Sequence, residues 1–97
     1  MRHYFRTHLT PAAVIDAADV FFPSLEMKPS ASAARSRGFT GPLGTMSISA
    51  KPEGGHYTFV EASTDQMGES RLDRNVKKFF VQIHRAEDPS HTLEAAY

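Results

Sequence analysis

In the segment "SRLDRNVKKFFVQI", Leu72, Val76, Phe79, Phe80 and Ile83 follow one another at spacings of four, three, one and three residues. Such spacings bring side chains together on one face of an α-helix, as a stripe about 100° wide, and a stripe holding two Phe must be buried against another layer. Ser70 with Asp73 three positions later marks the entry of this helix, a capping pattern with Asp in place of the usual Glu. The rest of the chain therefore has to supply an apolar surface for this helix to cover.

Three segments alternate with the period of a strand. "RHYFRTHL" sets His3, Phe5, Thr7 and Leu9 on one side and Arg2, Tyr4, Arg6 and His8 on the other, and the Phe5/Leu9 side is expected to face inward. "TMSISAK" and "HYTFVEAS" are expected to form a hairpin closed by Pro52-Glu53-Gly54-Gly55. A four-residue loop pairs Lys51 with His56, Ala50 with Tyr57, Ile48 with Phe59 and Met46 with Glu61, so one face is apolar except for Glu61. Between the first strand and this hairpin, "TPAAVIDAADVFFP" reads as a helix with Thr10 as N-cap, Pro11 in its first turn and Pro23 as its stop. Only Ala12, Asp16 and Asp19 share its polar sector, so it needs cover on more than one side. Residues 24–44, rich in Ser, Ala, Gly and Pro, read as a long loop with one short strand near Arg37–Thr40. Pro89 cuts off a tail at 89–97 that is expected to be mobile. The expected fold is α+β and two-layered, an antiparallel sheet of three to four strands packed on two helices in the order β-α-(β)-β-β-α, forming one domain over residues 1–88.

Composition narrows the chemistry. The chain has 97 residues with 40% hydrophobic content, enough for one core, and it has no Cys, which excludes disulfides, cysteine zinc sites and thiol nucleophiles. "MRHYFRTHL" places two Arg and two His where a signal peptide needs an unbroken apolar run, and no stretch approaches a membrane span, so a cytoplasmic protein is expected. The 11 basic and 11 acidic residues balance, so any electrostatic site must be local. His3, His8, His56, His84 and His91 show no metal-ligand spacing, and no metal or other cofactor is expected. The glycines of "GFTGPLGT" lack the Lys and the following helix of a phosphate loop and read as turn chemistry.

Two sets of polar residues stand out. Arg71, Arg74, Lys78 and Arg85 cluster on the C-terminal helix opposite its apolar stripe. They form either a solvated face that serves solubility or an anion or partner site. Four cations without interleaved aromatics are too few to track a phosphate backbone, so nucleic acid is not an expected partner. Glu61, placed beside Met46 on the apolar face, would have a raised pKa if enclosed and serve as a general acid or base, with His3 nearby. At a strand end it would be a rim residue.

The segments "THLTPAAVIDAADVFFP", a strand entering a helix through Thr-Pro, and "HYTFVEASTDQMGESRLDRNVKKFF", a last strand leading into an amphipathic helix, together resemble the START-like helix-grip superfamily, in which a curved antiparallel sheet wraps a long C-terminal helix. The resemblance implies a lipid, hormone or polyketide-like ligand held between sheet and helix, and in some members its cyclisation or isomerisation. A loop over 24–44 leaves no room for the central strands of that fold, and a dimer would then complete the cavity. Three readings follow. The first is a self-associating domain holding an apolar small molecule between walls formed by Phe5, Phe21, Ile48, Tyr57 and Phe59. The second is a structural or regulatory protein-interaction module without a ligand, and the third a small isomerase- or cyclase-like enzyme using Glu61. A homodimer is expected from the broad apolar girth of the first helix.

Overall fold

The computed structural model describes residues 1–67 and 69–87. The elements run β1 (Arg2–Thr7), α1 (Pro11–Phe21), a single 3-10 turn (Pro23–Leu25), β2 (Lys28–Ala33), β3 (Ser36–Gly41), β4 (Gly44–Glu53), β5 (Tyr57–Thr64) and α2 (Arg71–Glu87). The strands form one antiparallel sheet in the order β1-β5-β4-β3-β2. Both helices pack on it, giving the α+β class with five strands. The expected tail at 89–97 lies outside the described residues.

The helix signals act as their chemistry requires. Thr10 Oγ1 accepts the Ala13 N–H at 3.1 Å, with Pro11 in the first turn where its missing donor costs nothing. Ser70 Oγ accepts the Asp73 N–H at 3.0 Å and opens α2. Leu72, Val76, Phe79 and Ile83 are fully buried and Phe80 partly so. Val14, Ile15 and Ala18 of α1 are buried too, and Phe22 just after it, with cover coming from β3 and β4 beneath and α2 alongside. Between the layers the rings of Phe22 and Phe79 lie 5.2 Å apart and those of Phe22 and Phe39 5.3 Å apart, and Met27, Met46 and Ile48 close the same core.

Two expectations about the sheet are corrected. Residues 24–44 are not a long loop. The short strand expected near Arg37–Thr40 is β3, and it is the second strand of a hairpin whose Ser- and Ala-rich first strand, β2, is exposed along its whole length and so carries no apolar alternation. The β4–β5 register also differs: Met46 pairs with Thr64, Ile48 with Ala62 and Ala50 with Val60. β4 runs on through Pro52 to Glu53, and the turn is Gly54-Gly55-His56, with both glycines at positive φ (63° and 76°), a backbone that side-chain-bearing residues rarely adopt. The pairing moves by three residues, an odd number, so every side chain of β5 changes face. Val60 and Ala62 face the helices, and Tyr57, Phe59 and Glu61 lie on the uncovered side.

Candidate functional site

The register shift separates the residues nominated as an acid–base pair. Glu61 stands on the open face, its carboxylate 3.5 Å from Arg2 Nε and partly exposed, as a rim ion pair. His3 is on the opposite, helix-facing side of the sheet. Its ring, 8% exposed, donates from Nε2 to Asp73 Oδ1 at 2.7 Å, and its edge meets the Phe80 ring.

Asp73 was read from the sequence only as a cap, and in the fold it is the hub of a buried polar knot. Oδ1 also accepts the Thr64 hydroxyl at 2.9 Å, and Oδ2 accepts the Ser70 hydroxyl at 2.6 Å. Burial would raise the Asp73 pKa, but the hydrogen bonds from Ser70, His3 and Thr64, with the charge of His3, outweigh it and hold the carboxyl below its ordinary value. Ser, Asp and His meet here in the wrong order for nucleophilic catalysis, since Ser70 donates to the carboxylate and not to the imidazole. The knot ties β1 and β5 to the first turn of α2. Among the described residues, no group of three metal-ligating side chains comes together.

The five nominated ligand walls are likewise divided. Ile48 is sealed in the core, and Phe5 and Phe21 are half-buried at its margin, while Tyr57 and Phe59 are on the other side of the sheet. Phe22, Phe39 and Phe79 occupy the space between sheet and helices.

The basic stripe is where the structure opens. Arg71, Arg74 and Lys78, with Asn75, form one side of a cleft of about 660 Å³, whose other side is the turn Ser24–Glu26 together with Pro42 and Leu43 at the β3–β4 corner. A second cleft of about 550 Å³ adjoins it, lined by Arg74, Lys77, Lys78, Val81, Gln82 and Arg85 against Phe21. Arg74 and Lys78 belong to both, so the two make one groove along α2. From Arg71 to Arg85 the helix advances about 21 Å at 1.5 Å per residue.

The groove pairs apolar patches, Leu25, Pro42 and Leu43 at one end and Phe21 and Val81 at the other, with a dense row of cations. Lys77 reaches Glu69 at 3.5 Å, but among the described residues no carboxylate pairs with Arg71, Arg74, Lys78 or Arg85. Among the described residues, Glu26 is the one acidic side chain on the wall. A concave, partly apolar surface lined by one sign of charge focuses its field and attracts anions. The spacing of the basic residues shows the stripe but not the opposite wall, which comes from residues more than twenty-five positions away in the chain. No protein-family model matches this chain, and no curated protein is significantly similar to it.

Proposed function

We propose that this protein is a binding domain that takes an anionic amphiphile, a molecule with one acidic head and an apolar body, in the groove along α2. The observation that carries this is the meeting in one groove of four cations with no acidic partner among the described residues and two apolar patches, one at each end. An acid group held by Arg74 and Lys78, common to both clefts, leaves its apolar body to lie toward Leu25 and Leu43 or toward Phe21 and Val81. The sheet order, with β1 returning beside β5 and a long terminal helix packed on the sheet, supports kinship with the helix-grip superfamily in a shortened form. The usual place for a ligand in that fold is filled here by phenylalanine rings, which favours a surface groove.

Titration calorimetry with dodecanoate, inorganic phosphate and a dodecyl trimethylammonium salt tests the reading. Dodecanoate should bind and weaken as salt rises, phosphate should bind weakly, and the cationic amphiphile should not bind. Arg74→Glu with Lys78→Glu should abolish dodecanoate binding without changing the helical circular dichroism, because both side chains are exposed. Dodecanoate that fails to bind, or binds the double variant equally well, would refute it.

A further inference from the structure

Among the described residues, no element covers the side of the sheet turned away from the helices, and its side chains are unevenly distributed. The register places Arg6, Phe59 and Lys51 in one row across β1, β5 and β4. Both cations lie over the Phe59 ring, at 5.4 and 5.5 Å from its centroid, and Tyr4 stacks on it at 5.9 Å. Tyr4 and Tyr57 remain 61% and 46% exposed. This end is raised and aromatic. The next row on this face holds Tyr4, Glu61, Ser49 and Ser36, and the row beyond it runs from Arg2 through Ser63, Ser47 and Gly38, so that away from β1 the β5–β4–β3 part of that row is a low floor. The charges are mixed: Arg6 pairs with Glu53 at 2.5 Å and Arg2 with Glu61 at 3.5 Å.

We propose that this face is the interface of a homodimer, packed sheet on sheet about a two-fold axis, the aromatic end of each copy resting on the serine floor of the other. A two-fold interface must be complementary to itself. A face with both signs of charge, and with one raised and one low end, meets that condition, whereas a face of one sign would repel its copy. The same pairing argues against single-stranded nucleic acid as the occupant, because a phosphate backbone reaching Arg2 or Arg6 meets Glu61 or Glu53 beside it. Exposed Tyr with a cation-backed Phe gives the rigid, amphipathic contact area on which interfaces depend. The face lies across the sheet from the groove, so the proposal stands or falls independently of the ligand.

Sedimentation equilibrium on the full chain at about 10–100 μM, in the range of typical weak-to-moderate association, should give twice the 10.7 kDa protomer mass. Ser47→Arg sets a large cation on the floor of the interface and should weaken dimerisation at least tenfold while leaving the circular dichroism unchanged. Ser49→Arg, one row over, should do the same. Arg74→Glu with Lys78→Glu should remain dimeric. Three results would overturn the proposal: a parent protein that stays at 10.7 kDa throughout; dimers of both serine variants as tight as the parent's, which would place the contact elsewhere; or a labelled single-stranded oligonucleotide bound by the monomer and released by Tyr4→Ala.

Discussion

Replacing Asp73 by Asn keeps the shape of the side chain and removes its charge, and the consequences can be worked through bond by bond. The carboxylate accepts from His3, Thr64 and Ser70 at 2.7, 2.9 and 2.6 Å. A hydrogen bond to a charged group contributes about 1 kcal/mol more than a neutral one, so three together set the cost of Asp73→Asn at about 3 kcal/mol. A domain of this length has about 5–15 kcal/mol in all, so the loss is easily measured by urea denaturation followed by far-ultraviolet circular dichroism. The pH dependence provides an internal check. Asp73 titrates below its ordinary value of 3.8 in the folded chain. Its contribution is therefore complete above that value and is lost as pH falls through the lower folded value. The deficit of Asp73→Asn should be full at about pH 7 and should shrink toward zero in strong acid, where the parent has lost the same charge. Asp65, also held below its ordinary value by the Thr45 N–H and the Gln66 side chain, stays in both proteins and cancels from the difference. A variant within about 0.5 kcal/mol of the parent at neutral pH, or a deficit that persists undiminished into acid, would refute the reasoning.

Phe79→Ala should cost about 3–5 kcal/mol, because the ring is fully buried and lies 5.2 and 5.3 Å from those of Phe22 and Phe21. An unchanged denaturation midpoint would show that the stripe of α2 is not in the core. Gly41→Ala should lower stability by about 1–3 kcal/mol, since the added methyl would lie 2.8 Å from the Glu26 carbonyl oxygen and 3.0 Å from Met27 Cα, backbone atoms with little room to yield. A thermal midpoint equal to the parent's would mean that the corner between β3 and the 3-10 turn is looser than its geometry indicates.

The features legible in the amino-acid order are those whose physics is local. Thr10-Pro11 and Ser70-Asp73 cap their own helices, and the offsets of Leu72, Val76, Phe79 and Ile83 identify the buried side of α2 regardless of what covers it. The inward face of β1, His3, Phe5 and Thr7, follows from period-two alternation. What depended on contacts between distant segments was not legible. The β4–β5 register turns on whether Pro52 and Glu53 belong to the strand or the turn, and a single odd shift moved Glu61, Phe59 and Tyr57 from the core side to the open side. β3 was legible as the short strand near Arg37–Thr40, but its partner β2 left no mark in hydrophobicity because this outermost strand is exposed throughout. His3 and Asp73 are 70 positions apart, so no spacing rule joins them; they meet because β1 and α2 pack together. The basic stripe of α2 was visible in the sequence as a set of charges on one flank of a helix. Only the packing of the Ser24–Glu26 turn and the β3–β4 corner beside it made that flank the wall of a groove, because a concave surface needs two walls and the sequence of one helix specifies only its own.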